Sequence, residues 1–206
     1  MALATETGEG TAFITHPDPM LGKKICLDIG SGPEGLRRHP VFSGEHWRVL
    51  RVDANKSVSP DFHAKASDLS TIATDYADAI WCKSLIDHLR YHELVAAFKE
   101  FRRVLRPGAA AIIVVYDADL LHEFGRKHGY ETVRYRYGKE QLPVTALDQL
   151  RGNRHEIAAG LSFMEKHWEF TAPTLTKYLE DAGFSDVRVE RNNEWMQDAL
   201  YARAWK

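Results

Sequence analysis

Two carboxylates bracket a glycine-rich bend in "LDIGSGPEG". Asp28 stands just before Gly30-Ser31-Gly32, and Asp53 closes the run "WRVLRVD" 23 positions after Gly30. Glycines at the end of a strand let backbone and ligand approach closely, because no Cβ intervenes. An acid ending the second strand can accept hydrogen bonds from both hydroxyls of a ribose. The glycines alone are equally a tight turn, but the pair at this spacing reads as a nucleoside site. A pyrophosphate needs a good helix start after the bend, and "LRRHPVF" is broken by Pro40. Asp28 would also repel an anion. It suits a cation better, either the ammonium of an amino acid or a sulfonium.

Holding these acids in place takes a sheet. "KKICLDI" is a short apolar strand running into the bend, and residues 47–53 form the second strand. A brief extended piece lies near Phe62, and "ADAIWCK" and "AAAIIVVY" are longer apolar runs, the latter with the pattern of a strand buried on both faces. "YHELVAAFKEFRRVLRPG" spaces Leu94, Phe98, Phe101, Val104 and Leu105 by threes and fours, which predicts a helix stopped by Pro107-Gly108. "SDLSTIATDY" reads as a short helix capped by Ser67 or Asp68. The alternation predicts an α/β fold with a parallel sheet covered by helices. Thr171 caps a further helix that Gly183 ends, and "SDVRVER" and "QDALYARAWK" alternate as two last strands. Residues 117–170 have a weak apolar pattern and read as an insertion over one edge of the sheet, while residues 1–20 read as a tail or flexible lid.

The 206 residues suit one domain, and 44% apolar content suffices for a core. A net charge of −2 gives no electrostatic reason to expect nucleic acid as the main partner. Cys26 and Cys82 lie in apolar runs and read as buried, reduced thiols. No signal peptide or membrane span is legible, so no membrane partner and a cytoplasmic location are expected, with the oligomeric state left open.

From residue 23 onward the chain resembles the class I S-adenosylmethionine-dependent methyltransferases. "LDIGSGPEG" is similar to their first motif and "RVDAN" to their acidic loop. "DAIWCKSLIDHL" resembles the fourth-strand motif, with Asp87 where Glu is commoner. "EFRRVLRPGAAAIIVV" resembles the helix, turn and fifth strand of the small-molecule branch, with Ala109 in place of a second glycine. The resemblance implies a Rossmann-like, seven-stranded, mostly parallel sheet with an antiparallel last strand and a cap insertion after the fifth. It implies S-adenosylmethionine as cofactor. Gly30, Ser31 and Gly32 would meet its methionine part, and Asp28 would hold that region and reach the amino group. Asp53 would take the ribose hydroxyls, Ala54 would line the adenine, and Asp68 and Leu69 would hold its edge. Lys83 would offer its carbonyl to the amino group.

Methyl transfer from a sulfonium is an in-line displacement, so a protein mainly supplies alignment, exclusion of water and, where needed, a base. His88, after the fourth strand, is the candidate base; the alternative is a structural histidine anchoring a helix start. Asp117 and Tyr116 close the fifth strand at the rim where α/β sites open. The insertion concentrates Tyr135, Tyr137, Arg151, Arg154, His155, His167 and Trp168. Aromatic walls with a few cations suit a planar or anionic small substrate. Arg154 and His167 are candidate acceptor contacts and His155 a candidate catalytic group, the alternative being that they only pack the cap. "HLRYHE" offers His88 and His92 beside Glu93 without a third ligand, so no metal is expected. Two other functions fit the same cradle: intramolecular displacement releasing methylthioadenosine, and a non-catalytic binding module.

Overall fold

The computed structural model describes residues 22–33, 40–191 and 196–206; the expected tail or lid at 1–20 and residues 34–39, Gly35 among them, lie outside these ranges. Five strands run parallel: β1 (Lys24–Ile29), β2 (Trp47–Asp53), β3 (Phe62–His63), β4 (Ala77–Lys83) and β5 (Leu105–Tyr116). The two last strands, β8 (Ser185–Arg191) and β9 (Ala199–Trp205), form an antiparallel pair, and β9 also pairs antiparallel with β5. The order is β3-β2-β1-β4-β5-β9-β8, so the chain reverses its direction of travel across the sheet between β1 and β4. This is the Rossmann-like α/β arrangement that the motifs imply.

The apolar stripe of α1 (Tyr91–Val104) buries Leu94, Phe98, Phe101 and Val104 against one face of the sheet. Leu175 and Leu179 of α5 (Ala172–Asp181) join them there, together with Ile25, Leu27, Ile29 and Ile80 from the strands. Thr171 caps α5 by accepting from the Thr174 N–H, as its sequence predicts. Cys26, Trp81, Val114 and Tyr201 pack with Phe42 on the opposite face. Cys82 belongs to the first face and Cys26 to the second. Adjacent strands therefore carry the two buried thiols on opposite sides of the sheet, and no disulfide joins them.

Three local expectations give way. Residues 64–76 form successive turns and no helix. The Asp68 carboxylate accepts from the Ser70 N–H, while Leu69 donates to Glu100 and its carbonyl accepts from Arg103. Side chains of α1 thus take the backbone groups that helical bonds would have used. The helix α1 ends at Val104, before Pro107-Gly108, because Leu105 already pairs with Ala77 of β4. The Pro-Gly pair sits in a register shift of β5, with Gly108 at φ 78°.

Nor is the segment at 117–170 irregular. It folds as α2 (Ala118–His128), a hairpin of β6 (Val133–Tyr137) and β7 (Leu142–Thr145), then α3 (Ala146–Arg151) and α4 (Arg154–Ala158). Short elements with much polar contact leave little periodic signal.

Phe98 is fully buried between α1 and the sheet. Replacing Phe98 by Ala is expected to cost about 3–5 kcal/mol in urea unfolding, the usual range for emptying a packed aromatic site.

Candidate active site

The carboxyl ends of β2, β1 and β4 lie side by side. At the first bend, Gly30 and Gly32 both take left-handed conformations, at φ 72° and 62°. A Cβ on Gly30 would stand 2.8 to 3.0 Å from the Leu85 side chain, so this position needs glycine for both shape and space. Between them Ser31 is buried, and its Oγ has no hydrogen-bond partner among the described residues. The Asp53 carboxylate grips the bend: Oδ2 accepts from the Gly32 N–H at 2.8 Å and Oδ1 from the Asn55 N–H at 2.8 Å. Each oxygen keeps a lone pair for a further donor. Arg51 completes the clamp by donating to the carbonyls of Gly32 and Val58, at 2.6 and 2.7 Å.

Asp28 is only 8% exposed and, by strand alternation, lies on the same face as Cys26. Ala54 is exposed beyond Asp53, and its carbonyl accepts from His63 Nε2 when that nitrogen is protonated. Lys83 ends β4 in register with Val114. The structure therefore gathers Asp28, Gly30, Ser31, Gly32, Asp53, Ala54 and Lys83 at neighbouring strand ends. Asp68 and Leu69 are not among them. Leu69 is a core residue tied to α1, and Asp68 is an exposed turn acid lowered below its ordinary value by Ser70. The residue that reaches the Asp53 strand end is Ala64, which donates to the Asp53 carbonyl at 3.1 Å. The two-residue strand β3, expected as a brief extended piece near Phe62, places it there by pairing with β2.

At the end of β5 the candidate catalytic residues have structural tasks. Asp117 is 1% exposed, caps α2 through the Asp119 N–H, and accepts from Arg191 Nε at 2.6 Å. Each of its oxygens accepts one hydrogen bond, and burial keeps the remaining lone pairs from a ligand. His88 Nδ1 is 3.1 Å from the Glu165 carbonyl, so the ring anchors the segment that returns from the insertion. Burial pushes the His88 imidazole below its ordinary value, with Asp87 opposing, so the ring is neutral near pH 7. His155 Nε2 is 3.0 Å from the Pro143 carbonyl of β7. Arg154 donates to Asp148, Glu131 and Thr145. Both are spent within the insertion. His167 has an exposed side chain, and its N–H donates to the Asp87 carbonyl at 2.8 Å.

Tyr116 stands at the rim of β5 with its hydroxyl 3.4 Å from that of Tyr135. Burial is the main cause that drives its phenol well above the usual range, so Tyr116 stays protonated and can donate a hydrogen bond. Lys166 Nζ lies 4.3 Å over its ring. Among the described residues there is no cluster of three or more metal-ligating side chains.

This arrangement, a glycine bend and a strand-end acid at the switch point of an open sheet, is that of a Rossmann-like nucleotide-binding fold. Solved structures agree in fold. A Burkholderia thailandensis 1,6-didemethyltoxoflavin-N1-methyltransferase, solved with 1,6-didemethyltoxoflavin and S-adenosylhomocysteine, is 16% identical with TM-score 0.53, covering 89% of this chain and 71% of that one. A Methanosarcina mazei S-adenosylmethionine-dependent methyltransferase is 18% identical with TM-score 0.56, covering 93% and 98%. A Mesorhizobium loti S-adenosylmethionine-dependent methyltransferase is 16% identical with TM-score 0.56, covering 91% and 93%. Comparison with curated proteins finds no match.

Residues 27–113 match a family described as a methyltransferase domain. Over that stretch the chain is similar to a methyltransferase domain, which supports methyl transfer as its reaction and S-adenosylmethionine as its cofactor. The residues present fit that cofactor. Ser31 Oγ is an orphan polar atom at a bend with a strand-end acid beside it, and the acid keeps acceptor capacity for a ribose.

Two outcomes are expected here. Asp53→Ala removes the clamp on Gly32 and the acceptor at the end of β2, and should weaken cofactor binding by about 2–4 kcal/mol in calorimetry. The second concerns His88, whose folded value lies below the ordinary 6.5. The folded state then binds fewer protons than the unfolded chain, so this stability is present above that value and lost as pH falls through the folded one. Unfolding free energy should decline as pH falls below about 6.5, and decline less in His88→Asn.

Proposed function

We propose that this protein transfers the methyl group to oxygen or nitrogen of a small, planar acceptor, and that residues 117–170 are the lid over that acceptor. The observation that carries the reading is the Tyr116–Tyr135 contact at 3.4 Å. It ties the hairpin of the lid to the carboxyl end of β5. Val133, Tyr135 and Tyr137 alternate along β6 and are all exposed, at 46%, 41% and 46%. Beyond the register shift between Val133 and Tyr135, alternation puts the two tyrosines on one face of β6, an aromatic wall continuous with the rim of the sheet. The cations that would have favoured an anionic acceptor are engaged: Arg154 with Asp148 and Glu131, and Lys166 with Asp87. A planar acceptor is therefore favoured over an anionic one.

The chain's own residues would act as follows. Bound S-adenosylmethionine supplies an activated methyl. Gly30, Ser31 and Gly32 bind its amino-acid end, Asp28 and Lys83 orient that end, and Asp53 and Ala54 hold the nucleoside. The lid excludes water, which is where alignment gains most in this chemistry. Tyr116, held as a phenol, donates to a polar atom of the acceptor, and exposed His167 is the candidate to receive its proton. The whole chain is read as one such unit. Its near-neutral charge supports a small molecule over nucleic acid. Two buried thiols without a disulfide suit a reducing, cytoplasmic setting.

The test supplies methyl-labelled S-adenosylmethionine with a panel of phenols and heteroaromatic amines, beside protein and nucleic-acid extracts. Label is expected in the small-molecule fraction. Label confined to macromolecules, or methylthioadenosine released without acceptor, would overturn the reading. Tyr135→Ala should raise acceptor KM about tenfold and leave cofactor affinity within about twofold.

A further inference from the structure

Lys166 and Asp87 meet under the lid with side chains only 7% and 3% exposed, Nζ to Oδ2 at 2.7 Å. Lys166 also donates to the Gln149 carbonyl of α3 at 2.9 Å and covers the Tyr116 ring. The turn that carries Asp87 holds the lid by backbone as well. The Asp87 carbonyl accepts from the N–H groups of His167 and Trp168, at 2.8 and 3.2 Å, and His88 Nδ1 contacts Glu165. Two residues before Asp87, Leu85 presses on Gly30 of the cofactor bend. One short turn therefore touches the cofactor bend with one residue and the lid with the next ones.

We infer that the Asp87–Lys166 pair is a positioning device that fixes the lid against the cofactor bend, and so sets the alignment of acceptor and methyl. The inference rests on the methyl-transfer reading above. A buried pair gains little net stability over apolar groups of the same size, because desolvation offsets the attraction. What it adds is a single allowed geometry. The surroundings agree, since they are not arranged for maximal stability. Among the described residues, Asp87 Oδ1, Gln149 Oε1 and Trp168 Nε1 are buried without hydrogen-bond partners around a small cavity that Tyr116 also lines. Lys166 is the only lid residue that contacts the β4 turn, α3 and Tyr116 at once among the contacts of the described residues.

The experiment uses Asp87→Asn, Lys166→Met and the double variant in the full chain. Each single change strands one buried group, so melting temperature and turnover should both fall. In the double variant no stranded charge remains, and the melting temperature should return to that of the unaltered protein. Its acceptor kcat/KM should stay down about tenfold, with S-adenosylmethionine affinity within about twofold by calorimetry. A double variant that recovers turnover together with stability would overturn the inference, because a merely structural pair behaves that way. Loss of cofactor affinity would overturn it too. Hydrogen exchange across residues 146–168 should be faster in the double variant, with the sheet unchanged. Unchanged exchange there rejects the pair as a positioning device even if no acceptor is turned over, a result that would count against the methyl-transfer reading alone.

Discussion

Because β1 pairs in parallel with both β2 and β4, three carboxyl ends meet within two inter-strand spacings, about 10 Å. Everything chemical in the molecule follows from that adjacency. The chain must leave β1 by a bend that clears its neighbours, and Leu85 of the β4 turn occupies the space where a side chain at position 30 would go. Glycine is thus demanded by packing as much as by conformation. Asp53 then closes the arrangement from the other side, its carboxylate accepting from the Gly32 and Asn55 N–H groups.

The segment at 117–170 depends on the same strand ends through a different kind of bond. Its helices are short, and its apolar contribution is small, centred on Ala118, Leu121 and Leu150. Polar links replace a core. Thr145 and Asp148 form a reciprocal cap that Arg154 locks, His155 ties α4 to β7, and His122 bridges Tyr130 and Glu169. Such a body keeps its shape through directional bonds and meets the sheet at few points. Where it docks is then decided by the segment Glu165–Trp168 and the turn beneath it.

The sheet was legible because its strands are buried on both faces and read as apolar runs, as at "ICLDI" and "AAIIVV". The long helix was legible through its stripe. Glycine and acid spacing gave the cofactor end, since those residue types have few other reasons to coincide at strand ends. The acceptor side resisted. Asp117, His88, Arg154 and His155 are chemically capable side chains, and a sequence cannot tell that capping, anchoring or internal pairing already occupies them. Lys166 went unremarked because one lysine in a polar stretch carries no pattern; its partner at Asp87 is distant in sequence. The turns at 64–76 failed for a related reason, as their backbone partners, Glu100 and Arg103, belong to a helix formed later in the chain.

The placement of β9 has a kinetic consequence. It is the last strand in chain order, yet it lies between β5 and β8, inside the sheet. Its ladder joins Tyr116 to Ala199 and Ala110 to Trp205, contacts that close long stretches of chain. Until β9 arrives, β5 presents an unpaired apolar edge and β8 has no neighbour. Such non-local closure slows folding and prolongs the exposure of an adhesive strand. During synthesis, the β1–β5 half with α1 can assemble early, but the sheet is sealed only after residues 199–205 have emerged. The nascent protein therefore spends its most aggregation-prone interval with its cofactor half already assembled and its β5 edge still open.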